Sequence, residues 1–135
     1  MIPQDQQFFY QEEPRVYGDC TRACLATLLN LPISAVPHFL KVARGQVYEF
    51  YEGVDAFLEE RGLEIKYQVP LSDYWQPGGP DVFHLISGQS PRSPKINHMV
   101  VGLNGRIIFD PHPSRVGLAG EPNEWRFAFL TSVRS

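Results

Sequence analysis

The stretch Asn97-His98-Met99-Val100-Val101-Gly102-Leu103-Asn104-Gly105-Arg106-Ile107-Ile108-Phe109-Asp110-Pro111 decides how this chain is read. Two apolar runs, His98 to Leu103 and Arg106 to Asp110, flank Asn104-Gly105. Asn-Gly between such runs is the strongest short-range hairpin signal, because both residues tolerate the positive φ of a two-residue turn. The hairpin folds arms of comparable length onto each other. It therefore predicts that His98 and Asp110 become neighbours at one end of a sheet.

Three more strands are expected. Leu63 to Val69 alternates between apolar and polar residues, Val82 to Ser87 is apolar enough to be buried, and Trp125 to Leu130 closes the set. Two helical patterns precede them. The first runs from Cys20 to about Asn30, with Ala23, Cys24, Leu28 and Leu31 on one stripe widened by Leu25 and Leu29. A helix apolar nearly all round belongs in the centre of a fold. Asp19 is its expected N-cap, with a carboxylate to accept the free amides of the first turn, and Leu31-Pro32 ends it. Ile33 to Phe39 reads as a short helical turn with Ser34 as its cap. The second helix spans Gln46 to Arg61, and Gly62 stops it. Gly53 in its interior implies a close packing contact, and Tyr48, Phe50, Tyr51 and Phe57 are expected in the core. Helices followed by an antiparallel sheet make an α+β fold. Residues 1–18 lack periodicity and form an N-terminal arm, which Phe8, Phe9 and Tyr10 would pin to the core.

The 135 residues fit one domain, 1–135. A formal net charge of -3 argues against a nucleic-acid partner or an anionic membrane surface. No apolar run approaches the roughly 18 residues that cross a bilayer. Met1 to Gln7 lacks the basic and apolar regions of a signal peptide. Two cysteines are too few for a disulfide scaffold, so the expected setting is reducing and cytoplasmic. Proline and glycine cluster at Pro77-Gly78-Gly79-Pro80, Ser90 to Pro94 and Pro111 to Ser114, which mark loops.

The chemistry begins at Cys20. It follows Asp19 at the mouth of an apolar helix, where unpaired amides and the positive end of the dipole favour thiolate over thiol. Cys24, one turn later, reads as a small core residue. His38 and His84 read as structural. Arg92 and Arg115, in Ser/Pro loops, read as solvated, with recognition of a carboxylate or phosphate as the sharper alternative. A zinc site from Cys20, Cys24, His98 and His112 would take two ligands from one helix at four-residue spacing, and no metal is expected.

Asp19-Cys20 with Cys24-Leu25-Ala26, then His98 opening an apolar strand, then Asp110-Pro111 closing the next, resembles the papain-like cysteine peptidases over roughly residues 17–118. The nearest subset is the leader-peptide peptidases of bacteriocin exporters, with their relatives among bacterial and phage proteins. Asp110-Pro111-His112-Pro113-Ser114-Arg115 also looks like a small group of bacterial and phage papain-like proteins. The resemblance implies a nucleophile helix packed on a mostly antiparallel sheet. It implies Cys20 as nucleophile, His98 as general base and acid, and Asp110 as the carboxylate that orients His98. Gln11, nine residues before Cys20, is the candidate oxyanion donor, and Asp19 and His112 are candidate cleft residues. Thr21 stands where the family has Gly. The function implied is a cysteine hydrolase of peptide, isopeptide or amide bonds, acting on a peptide or protein through an acyl-thioester without a cofactor. The alternatives are a thiol acyltransferase or deamidase on the same fold, or a papain-like binding module without turnover.

Overall fold

A computed structural model describes residues 1–133. Helix α1 is Cys20–Leu28, α2 is Phe39–Val42 and α3 is Val47–Glu59. Strands β1 (Leu63–Tyr67), β2 (Phe83–Gln89), β3 (Asn97–Leu103), β4 (Arg106–Phe109) and β5 (Arg126–Ser132) form one sheet in the order β1-β5-β2-β3-β4. Every pairing is antiparallel. The fold is α+β, as the sequence of patterns predicts.

Helix α1 packs on β3 and β2, with Ala23, Cys24, Leu25, Ala26 and Thr27 buried. It ends two residues earlier than expected, where Asn30 turns left-handed at φ 56°. Asparagine tolerates that conformation and can take the place of glycine in stopping a helix. The helical turn expected over Ile33 to Phe39 is divided. A 3₁₀ turn covers Ile33–Ala35, and Val36 and Pro37 interrupt before α2. Ser34 lies inside the 3₁₀ turn and caps nothing. His38 caps α2 instead, its Nδ1 accepting the Lys41 amide at 3.3 Å, while its Nε2 meets the Tyr17 carbonyl at 3.0 Å.

Helix α3 turns Phe50, Val54, Phe57 and Leu58 toward the core. Tyr48 is 71% exposed and Tyr51 43%, so these two leave the expected core set. Their helical positions fall on the outer side of the stripe that starts at Phe50. A methyl at Gly53 would stand 3.5 Å from Phe39, an ordinary contact, so the glycine is near a neighbour without being forced by it. Leu85, Val101 and Ala128 supply the sheet side of the same core. Among the described residues no single helix is long and apolar enough to cross a membrane.

The β3–β4 turn has Asn104 at φ 53° and Gly105 at φ 87°, the two positive values that a hairpin of this length needs. A side chain at Gly105 would also strike Leu71. His84, fully buried below, accepts the Gly105 amide on Nε2 at 3.0 Å and donates from Nδ1 to the Leu85 carbonyl at 3.2 Å. These roles require the neutral ring, which burial favours as well.

Candidate active site

His98 is the second residue of β3, and Asp110 is the first beyond β4. The two-residue turn alone would not bring their side chains together. In an unbroken register the pairing Leu103 with Arg106 would carry Asp110 opposite Met99. Neighbouring strand residues face opposite sides, so Asp110 would then point away from His98. The register shifts at Val101/Gly102: Val101 pairs with Phe109 and Gly102 with Ile107, which leaves Ile108 as an extra residue on β4. This bulge moves Asp110 opposite Val100, on the same side as His98. Gly102 sits at the shift, and a Cβ there would come within 2.6 Å of His84.

The outcome is a short bond. His98 Nε2 lies 2.7 Å from Asp110 Oδ1, and both residues are 4% exposed. The loop beyond Asp110 wraps its carboxylate. The His112 amide donates to Oδ1 at 2.9 Å and the Gly117 amide to Oδ2 at 2.8 Å. Arg115 donates to the Asp110 carbonyl at 2.7 Å and pairs with Asp5 at 2.6 Å, so this arginine anchors the loop to the arm. Burial alone would push the Asp110 carboxyl up, but His98 and the two amides outweigh it and hold it below the usual range.

Asp110 occupies Nε2 of His98, so Nδ1 is the nitrogen left for Cys20. Burial works against the charged ring of His98. The bond to Asp110 and the hydrogen-bond and charge contact with Cys20 overcome it and lift the ring to about 9. Cys20, the first residue of α1, is partly exposed and opens on a groove of about 710 Å³. Gln6, Asp19, His98 and His112 line the same groove. Cys24 is fully buried, donates to the Met99 carbonyl at 3.4 Å, and is pushed up by burial and by the nearby Cys20 and Asp110. It is a core thiol.

Two expectations need correction. Asp19 occupies the N-cap position of α1, but its carboxylate does not cap the helix. Oδ1 accepts the Gln7 and Phe8 amides at 2.9 Å each, and Oδ2 pairs with Arg22 at 3.3 Å. The side chain therefore ties the arm to the helix. The amides of Cys20, Thr21 and Arg22 find no acceptor among the described residues, so the helix mouth is open to an anion. Gln11 is not at the groove. It sits in a small bridge with Val16, exposed, its amide on the Glu13 carbonyl at 3.2 Å. Distance along the chain misleads here because the arm doubles back through that bridge.

The arm glutamine that lines the groove is Gln6. It is 7% exposed, its amide donates to the Pro111 carbonyl at 3.0 Å, and its Nε2 donates to the Phe8 carbonyl at 2.8 Å. Its Oε1 is buried without a partner among the described residues. Nothing in the local sequence singles out Gln6 from Gln4 and Gln7. His112 stands 6.3 Å from His98, centroid to centroid, and takes the Ser114 amide on Nδ1. Burial and the charge of Arg92 hold it toward its neutral form. No group of three or more His, Cys, Asp or Glu is arranged to hold a metal ion among the described residues.

Compared with protein-family models, curated proteins and solved structures, the chain matches none.

Proposed function

We propose that this protein is a papain-like cysteine hydrolase that cleaves a peptide or amide bond through an acyl-thioester at Cys20. The observation that carries this reading is His98, which lines one groove with Cys20 and is bonded to a buried carboxylate at 2.7 Å. A surface histidine that merely ended a strand would need no such partner. A ring that stays charged to about pH 9 is suited to be the imidazolium half of a thiolate–imidazolium pair.

The Cys20 thiolate attacks the carbonyl carbon, forming a C–S bond and moving the carbonyl electrons onto oxygen. The Cys20 amide and the second Nε2 hydrogen of Gln6, whose first goes to the Phe8 carbonyl, are the oxyanion donors, and Gln6 replaces Gln11 in this role. Collapse breaks the C–N bond, and His98 hands its proton to the leaving amine. His98 then takes a proton from water, which cleaves the thioester and releases the acid. Asp110 keeps the ring oriented and stabilises its charged form. Two free cysteines with this chemistry suit a reducing, cytoplasmic setting.

Iodoacetamide tests the pair. Cys20 alkylates at least about ten-fold faster than a free thiol reference at near-neutral pH, and Cys24 hardly at all. Burial alone accounts for Cys24, so the deciding arm is His98→Ala, which removes the Cys20 advantage. Equal, slow labelling of Cys20 in the native protein and in His98→Ala overturns the reading.

A further inference from the structure

The groove that holds Cys20 carries a charge opposite to that of the whole chain. The chain has a formal net charge of -3. Yet among the described residues the charged side chains that line the groove are Arg15, Arg22, Arg92, Lys95 and Arg126, with Asp19 as the single carboxylate. Asp19 offers nothing to a ligand, because its side chain is fully buried and its oxygens are taken by two amides and Arg22. Arg22 is engaged in return, by Asp19 and the Val36 carbonyl, and Lys95 pairs with Glu12 at the rim.

Three cations remain without a carboxylate partner among the described residues. The Arg92 guanidinium donates only to the Ser114 hydroxyl, at 3.1 Å. Arg15 lies over the Tyr17 ring at 5.9 Å. Arg126 has no side-chain hydrogen bond or ion pair there. All three are exposed. They stand on separate elements: the arm, the β2–β3 loop that leads into His98, and the start of β5. Guanidinium groups bind carboxylates in a planar, two-pronged fashion.

The sheet register places Arg126 relative to the reacting centre. Arg126 pairs with Ser87, and Ser87 pairs with Met99, the residue after His98. Two strand spacings separate β5 from β3, about 10 Å, and an extended peptide advances about 3.3 Å per residue. A substrate side chain two or three residues from the bond cut is therefore in reach of Arg126.

We propose that the groove selects an acidic peptide, with Arg126 and Arg92 as specificity-determining residues and Arg15 as a supporting cation. This deepens the hydrolase reading above and rests on it for the position of the bond cut.

Two hexapeptide acyloxymethyl ketones form the test, one carrying three glutamates and the other three glutamines at the same positions. The rate of adduct formation at Cys20 is read by intact mass. The glutamate probe reacts about ten-fold faster at low salt, and the ratio shrinks as NaCl rises. Arg126→Gln and Arg92→Gln each reduce the ratio several-fold. Lys66→Gln, which removes the same charge outside the groove, keeps it. Equal rates for the two probes overturn the charge preference while leaving the thiol chemistry standing. If neither probe nor iodoacetamide distinguishes Cys20, the hydrolase reading fails instead. The charge preference is then read by fluorescence anisotropy, with the same two peptides lacking the ketone and the Cys20→Ser protein. Tighter binding of the glutamate peptide supports it, and equal binding overturns it.

Discussion

Asp110→Ala lowers the stability of the fold by on the order of 3–5 kcal/mol. The carboxylate holds His98 at 2.7 Å and the amides of His112 and Gly117 at 2.9 and 2.8 Å, all at a position 4% exposed. Its removal leaves an imidazolium and two amides without acceptors. Urea denaturation reads the loss. Asp110→Asn separates charge from shape: it retains an acceptor of the same size and removes the anion. The His98 ring then titrates well below about 9, toward the ordinary histidine range, as followed by ring proton shifts.

The same pair dictates how stability varies with pH. The His98 value is raised by folding, so its contribution is complete below the ordinary histidine value near pH 6.5 and is lost as pH rises through about 9. Asp110 is depressed, so its contribution is complete above about pH 4 and is lost as pH falls further. From these groups the protein is most stable between about pH 4 and 6.5, and gives up on the order of 3 kcal/mol between 6.5 and 9. In Asp110→Asn the alkaline slope flattens. A native protein whose urea midpoint is unchanged from pH 6.5 to 9 contradicts the assignment.

Cys20→Ala stops turnover. With p-nitrophenyl acetate as the acyl donor, the steady-state rate falls by about 10⁴-fold or more, because no other exposed thiol is available at the groove. His98→Ala falls to nearly the same level, since nucleophile and base act as a unit and their losses do not add. Cys24→Ala retains the rate, because that thiol lies in the core. Cys20 is partly exposed, so Cys20→Ala shifts stability by no more than about 1 kcal/mol. A Cys20→Ala protein that still turns over at the native rate assigns the chemistry elsewhere.

Much of the architecture is legible in the order of residues. The apolar helix after Asp19, the long helix before Gly62 and the Asn104-Gly105 turn all stand close to their expected places, because each is set by local period and local φ. What is not legible comes from contacts between distant segments. The extra residue Ile108 on β4 decides which face Asp110 takes, and a count of residues across the turn gives the opposite face. Asp19 has the residue type of a cap, but the Gln7 and Phe8 amides compete for its carboxylate and win. Gln6 reaches the groove because the arm doubles back between Gln11 and Val16, which makes separation along the chain a poor guide to separation in space. The cationic lining is equally hidden. Arg15, Arg92 and Arg126 lie far apart in the chain, and only the folded sheet and its loops gather them round one groove.

The most direct test locates the acyl group. The native protein is mixed with p-nitrophenyl acetate, quenched early, and mapped by peptide mass spectrometry. The expected result is an acetyl group on Cys20 that hydroxylamine removes, formed in a burst ahead of steady release, and absent from His98→Ala. Acetylation confined to lysines and the N-terminus, with Cys20 unmodified in the native protein, contradicts it.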